Sequence, residues 1–330
     1  MRAIIQTGYG PPERVLALAE VPEPEMGDDD VLLRVKATSV NTPDWIVTAG
    51  VPYVLRLKAG LRGPSTQVRG SDVAGVVEAV GARVEDLRPG DEVFGSLWDA
   101  ARITLPHGTF AELTVAPAAQ VVRKPVGVSF EAAGAAGMAG LTALAAVREV
   151  GQVGPGSRVL INGVSGGVGT FAAQIAKASG AEVTGVCSAR NAELVRSLGV
   201  DRVIDYGAED FTAGAERYDV VLDNVLNHPP KRTARVLAPS GTFIPNSVGN
   251  TGGLLAGLPR MARAKLMGRS VRVAFANYVV DHERLGALAA LLETGEVRVV
   301  VGETYALEAA PAAVAHMLGH HARGKLVIAV

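Results

Sequence analysis

Apolar positions in the first third of the chain come in short runs cut by turn residues. VLLRVKATSV (31–40) and GSDVAGVVEAVG (70–81) read as strands, and TFAELTVAP (109–117) alternates in part. PEPEMGDDD, RPGDE and LPHGT separate them. The pattern predicts an antiparallel, β-rich domain over residues 1–122.

The pattern changes near residue 124. SFEAAGAAGMAGLTALAAVREVG (129–151) reads as helix, with Ser129 as its N-cap. Strand and helix then alternate. SRVLINGV, AEVTGVC, DRVIDY, YDVVLDNV and GTFIPNSV read as strands, and GVGTFAAQIAKASG and NAELVRSLG as helices. That order predicts an α/β fold, a doubly wound parallel sheet with helices on its faces, over 123–277. SVRVAFAN (270–277) reads as its last, edge strand. In the tail, 278–330, HERLGALAALLETG and PAAVAHMLGHHARG read as helices and KLVIAV as a closing strand that returns to the first domain.

Composition narrows the classes. The 330 residues carry 32 basic and 33 acidic side chains, so there is no footprint for nucleic acid or an anionic membrane. No uncharged apolar run reaches the ~20 residues a membrane span needs. MRAIIQTGYGPPERV lacks the apolar core of a signal peptide. One cysteine excludes an internal disulfide and any zinc site needing two thiolates. The expectation is a cytoplasmic protein acting on a small molecule, with no metal. His316 and His320 stand four apart, and read as a solvated helix end.

INGVSGGVGTFAAQIAK (161–177) is the strongest motif. A strand runs into a glycine-rich turn and then a helix, whose N-terminus offers N–H groups and a positive dipole end to a phosphate. Ser165, Gly166, Gly167 and Val168 are the candidate contacts. Aligned on Gly169, Val164 replaces the first glycine of G-x-G-x-x-G, so the context of strand and helix carries the reading. A P-loop is excluded because Gly-Lys-Ser/Thr is absent, and no tyrosine has Lys four residues later.

About 20 residues beyond the glycines, NAD sites place an acid for the ribose hydroxyls. Here CSARN (187–191) offers none. A hydroxyl and a guanidinium suit a 2′-phosphate, so Ser188 and Arg190 predict NADPH. The alternative for Arg190 is a solvated residue opening a helix. Tyr206 is placed beside the adenine or at the phosphate. Ser247 and Phe275, on the last two strands, complete the candidate cofactor set. Cys187 reads as a small inert hydrophobe.

Taken together, these segments resemble the zinc-independent, quinone oxidoreductase-like branch of the medium-chain dehydrogenase/reductase family. ATSVNTPDW (37–45), GSDVAGVVEAVG, RPGDEVFG (88–95), GTFAELTVAP, GLTAL (140–144) and GHHARGKLVIAV (319–330) carry the resemblance in order. It implies a GroES-like catalytic domain of 1–122 plus the tail, an inserted Rossmann domain, and an active site in the cleft. Where zinc relatives have Gly-His-Glu, this chain has Gly70-Ser71-Asp72, so no catalytic metal is expected.

The resemblance further implies that Asn41 and Thr142 face the nicotinamide. A turn-capping Asn and a helix-buried hydroxyl are the alternatives. Tyr53 is the nearby phenol that would donate a proton, or else an exposed loop aromatic. Arg323 and Lys325 reach the cofactor phosphate from the tail, or else form a basic helix end. The leading expectation is an NADPH-dependent reductase of quinones or α,β-unsaturated carbonyls, working as a homodimer. An enoyl-thioester reductase, with RLKAGLR (56–62) and PRMARAKLMGR (259–269) at a basic mouth, and a non-catalytic NADPH-binding protein are the alternatives.

Overall fold

In the computed structural model, β1 (Arg2–Gln6) and β2 (Leu16–Glu20) pair antiparallel. The structure describes residues 1–61, 63–64, 67–98, 107–247, 259, 262–267, 272–276, 279–319 and 323–330, without the side chains of residues 55 and 58. Two compact units divide the chain. The first is Met1–Leu141, Tyr278–Gly295 and Val299–Val330, and the second is Thr142–Asn277 with Glu296–Arg298.

Among the described residues the first unit is built on a seven-stranded sheet. β3 (Asp30–Ser39), β4 (Asp72–Val80), β5 (Glu92–Ser96), β6 (Leu113–Pro117) and β7 (Val121–Arg123) supply its antiparallel part. Along β3, buried and more exposed positions alternate from Asp30 to Ala37, and then Thr38 and Ser39 are buried too. Strand alternation explains the first stretch. The second is where polar side chains are driven inside.

The segment 123–141 packs with this first unit rather than with the parallel sheet. A Cβ on Gly134 would lie 2.7 Å from the Ala37 carbonyl oxygen, so the helix Phe130–Gly134 lies directly on β3. Ser129 Oγ accepts the Ala132 N–H at 3.2 Å and caps that helix. The long Ala-rich helix expected here is broken, and a second helix, Gly137–Leu144, follows.

Among the described residues the second unit holds a six-stranded, fully parallel sheet. Its strands are β8 (Arg158–Asn162), β9 (Glu182–Cys187), β10 (Arg202–Asp205), β11 (Tyr218–Asp223), β12 (Leu237–Pro245) and β13 (Arg272–Val273). β8, β9 and β11 are buried almost end to end, as strands covered on both faces must be. The spatial order is β10-β9-β8-β11-β12-β13, the doubly wound order, with its switch point between β8 and β11. Among the described residues β13 forms the outer edge, within the expected SVRVAFAN run; residues 270, 271 and 277 of that run lie outside the described residues.

The chain ends in the first unit. β14 (Val301–Ala306) runs parallel to β15 (Lys325–Ala329), and β15 pairs antiparallel with the end of β3. The register matches Val327 to Ser39, which sets Lys325 opposite the residues just past β3.

Candidate active site

Where β3 ends, the chain turns through Val40 and Asn41 into the helix Thr42–Ala49. Asn41 is its N-cap, and the Asp44 carboxylate reaches back to accept the Asn41 N–H at 2.7 Å. The Asn41 side chain is buried and turned toward Asp72, the first residue of β4. Asp72 is fully buried. Its Oδ2 accepts from Asn41 Nδ2 and from Ser39 Oγ, each at 2.8 Å. Its Oδ1 accepts the Met138 N–H at 2.8 Å, in the first turn of the helix Gly137–Leu144, where the dipole favours an anion.

Lys325 completes this cluster. Its ammonium, nearly inaccessible, donates to Asn41 Oδ1 at 2.5 Å and to the Val40 carbonyl at 3.2 Å, and lies 3.7 Å from Asp72 Oδ2. Burial pulls the Lys325 pKa down, and the Asp72 and Asp44 charges oppose that pull. Burial pushes the Asp44 carboxyl up to about 7, against the hydrogen bond from Asn41 and with the repulsion of Asp72. Burial also brings the Arg69 guanidinium down to about 10, with Asp44 opposing. Asp44 and Arg69 line one small cavity with Pro43, Val47, Gly70 and Trp98.

The expected residues therefore separate. Asn41 stands at the centre of a buried network. Lys325, expected at a cofactor phosphate, has its ammonium inside the same network, while Arg323 is exposed. Tyr53 is 72% exposed, and the Arg56 guanidinium lies over its ring at 4.7 Å. Asp72 was missed as a site residue, although an acid at the head of an apolar strand run was its signal. Ser71 is buried, with Oγ 3.4 Å from Asn41 Nδ2. Among the described residues no group of three or more His, Cys, Asp or Glu is placed to hold a metal. His316 Nδ1 lies 2.7 Å from the Tyr305 hydroxyl, and His320 is outside the described residues.

In the second unit, β8 leads into the helix Gly167–Ala178 through the glycine-rich turn. Gly163 takes φ +77°, a conformation side chains disfavour. A Cβ on Gly169 would lie 2.7 Å from Val164 Cα, so only glycine allows this close approach of helix and turn. Gly166 is the N-cap and brings no side chain to the first N–H groups. Gly167 and Val168 stay partly exposed there. This open, positively polarised turn fits a dinucleotide pyrophosphate. Ser165 Oγ accepts from Asn191 Nδ2 at 3.0 Å, which ties the turn to the segment after β9.

That segment holds Ser188, half-buried, and Arg190, exposed. Tyr206, 57% exposed, ends the neighbouring strand region, and its N–H donates to the Cys187 carbonyl at 3.1 Å. Among the described residues the Ser188 hydroxyl, the Arg190 guanidinium and the Tyr206 hydroxyl have no hydrogen-bond or ion-pair partner. One acid approaches from beside them. Asp205 Oδ1 accepts the N–H of Ala189 at 3.2 Å and of Gly207 at 3.1 Å. Sequence spacing along one strand missed Asp205, because it comes from the adjacent strand. Ser247 and Thr142 are buried, and Phe275 is half-buried. Burial raises the pKa of the Cys187 thiol.

Comparison with known proteins bears on both units. Residues 27–126 match the alcohol dehydrogenase GroES-like domain, and residues 198–328 match the zinc-binding dehydrogenase domain. The chloroplastic quinone oxidoreductase QR1 of Triphysaria versicolor is 32% identical over 99% of this chain and 98% of its own. The chain belongs to the medium-chain dehydrogenase/reductase family. A trans-enoyl reductase of Aspergillus terreus, pgmF, is 38% identical over 208 residues, covering 61% of this chain and 56% of that one. The Escherichia coli quinone oxidoreductase complexed with NADPH superposes with a TM-score of 0.83, at 25% identity and full coverage of both chains. A solved NAD-dependent alcohol dehydrogenase superposes with a TM-score of 0.85, at 30% identity and full coverage of both chains.

As a member of this family, the chain is an oxidoreductase that uses a nicotinamide cofactor, built from a GroES-like domain and a Rossmann-like sheet. Among the described residues no helix is long and apolar enough to cross a membrane.

Proposed function

We propose that this chain is an NADPH-dependent, metal-independent reductase that passes hydride to a quinone or an α,β-unsaturated carbonyl, and that it works as a homodimer. The observation that carries the nucleotide choice is the unpaired set of Ser188, Arg190 and Tyr206 beyond the glycine turn. A guanidinium and two hydroxyls with no internal partner suit a bound phosphate dianion. The full-length likeness to quinone oxidoreductases supports the reductive direction.

When bound, NADPH supplies a hydride to an electrophilic carbon of the substrate. The chain's own residues bind and orient. The turn at Gly166, Gly167 and Val168, with Ser165 beside it, holds the pyrophosphate. Thr142, Ser247 and Phe275 are assigned to the rest of the dinucleotide, and Arg323, exposed at the head of the last strand, to its phosphate end. Asn41 positions the reacting groups. Tyr53, 72% exposed, supplies a proton to the enolate or quinolate oxygen. No metal is assigned, because Ser71 offers a poor ligand where zinc relatives have histidine.

The likeness to a trans-enoyl reductase supports a second reading, reduction of an enoyl thioester. Leu57 and Leu61, 71% and 70% exposed, give the 56–62 stretch an apolar surface for an acyl chain. Arg62 of that stretch, and residues 260, 261, 268 and 269 of the basic 259–269 stretch, lie outside the described residues.

The test is a panel of quinones, enones and enoyl thioesters, each run with NADPH and with NADH while cofactor oxidation is followed. Faster turnover of quinones or enones with NADPH is expected. Turnover of none of them would leave a protein that binds the nucleotide without reacting.

A further inference from the structure

We infer that Lys325 is a positioning residue: its buried ammonium fixes the Asn41 amide in one orientation and makes Asn41 a hydrogen-bond acceptor toward what binds there. The inference rests on the reading of Asn41 as a residue that orients the reacting groups.

An asparagine amide has two nearly isosteric ends, and its orientation follows from its partners. Around Asn41 those partners carry opposite charges. Oδ1 meets the Lys325 ammonium at 2.5 Å, and Nδ2 meets the Asp72 carboxylate at 2.8 Å. A flip would set N–H against ammonium and C=O against carboxylate. Both charge-assisted bonds would become repulsions in a dry site. Lys325 and Asp72 also face each other at 3.7 Å, so the three side chains close a ring.

The ring uses most of the amide's capacity. One Nδ2 hydrogen goes to Asp72, and the other lies toward the Ser39 carbonyl and Ser71 Oγ, each at 3.4 Å. Oδ1 keeps one lone pair beyond the bond from Lys325. Asn41 thus accepts from a hydroxyl or amide donor, while its second N–H is held only by those two long contacts. The backbone explains how the partners meet. The antiparallel pairing of β15 with β3 carries Lys325 to the Val40–Asn41 turn, and β4 delivers Asp72.

Two assignments for Lys325 give opposite results. A ligand of the cofactor phosphate, once removed, weakens NADPH binding and spares turnover. A positioning residue, once removed, leaves NADPH binding intact and slows turnover. Lys325→Met tests this directly. Because it leaves Asp72 buried without its cation, the neutral pair Lys325→Met/Asp72→Asn is made beside it.

Three readouts are taken: kcat on the best acceptor, the NADPH dissociation constant by fluorescence, and the Asn41 side-chain amide signals in protein labelled with 15N-asparagine. In either ammonium-free variant that folds, we expect kcat to fall on the order of a hundredfold. The NADPH constant should stay within about twofold, which is under 0.5 kcal/mol. The Asn41 amide should lose its slow exchange and distinct shift. Full kcat in an ammonium-free variant would overturn the inference. So would a tenfold weaker NADPH constant with unchanged Asn41 signals. If the wild type reduces no acceptor, the reductase reading fails, while the Asn41 signals still decide whether Lys325 holds the amide.

Discussion

Asp205 accepts the Ala189 N–H at 3.2 Å, so an acid from β10 staples the turn that follows β9. Its Oδ1 is also held by the Gly207 N–H at 3.1 Å. The carboxylate therefore shapes the segment carrying Ser188 and Arg190, and at the same time sets a negative charge beside it. If Arg190 holds the phosphate as proposed, nucleotide choice is a contest between that charge and the Arg190 guanidinium.

Arg190→Ala should weaken NADPH about tenfold to a hundredfold, the effect of one charge-assisted hydrogen bond, and leave NADH unchanged. Asp205→Asn keeps an acceptor for the turn and removes the charge. It should tighten NADPH by a factor of about two to five, a surface-type electrostatic effect, again without changing NADH. Titration of both nucleotides by fluorescence reads these ratios. An NADPH-to-NADH ratio that neither substitution moves would remove both residues from nucleotide selection.

Gly169→Ala should harm both stability and binding. Alanine favours a helix by about 1 kcal/mol over glycine. Here its Cβ would lie 2.7 Å from the Val164 backbone, so the helix Gly167–Ala178 has to move off the turn. Overpacking of this kind costs about 1–3 kcal/mol. The expected result is a lower melting temperature and a weaker NADPH constant, from the same displacement. Gly154→Ala, in open space by comparison, should change neither.

The sequence made the second unit easier to read than the first. β8, the glycine turn and the helix after it are local in sequence, so spacing exposed them. Even there the reading stopped at one strand: Asp205 acts on Ala189 through pairing of β10 with β9, a relation that no count along the chain contains. In the first unit Asn41, Asp72 and Lys325 are joined by hydrogen bonds spanning up to 284 positions. A lysine in a C-terminal strand looks like a solvent-facing or phosphate-facing residue until the strand's register turns it inward. The Ala-rich run at 129–151 hid its break because alanine favours helix throughout, and the glycines that flank the break, Gly134 and Gly137, recur at Gly140 inside the second helix.

The open edge at β13 leads to a prediction about assembly. The Ala274 N–H donates inward to the Phe243 carbonyl at 3.0 Å. By strand alternation the Val273 N–H faces outward, where β13 has no further neighbour in the sheet among the described residues. An equivalent edge from a second copy satisfies it. Light scattering should therefore give twice the 34.1 kDa chain mass at micromolar concentration. Val273→Pro removes the outward donor and should shift the mass toward one chain. A single-chain mass for the wild type would exclude pairing through this edge.

Asp44 gives the stability of the first unit a dependence on pH. Its carboxyl is raised by burial to about 7, against about 3.9 in an unfolded chain. Between these values the folded protein holds a proton that the unfolded chain has released. The stabilisation is full below about pH 4, declines as pH rises through about 7, and is then flat. The whole effect is at most about 4 kcal/mol. Asp44→Asn keeps an oxygen to accept the Asn41 N–H and removes the titration. Its melting temperature relative to wild type should therefore rise from pH 4.5 to pH 8, with most of the change below about 7.5. A difference that stays constant over that range would show that Asp44 is charged throughout, with the nearby Arg69 and Lys325 cations outweighing its burial.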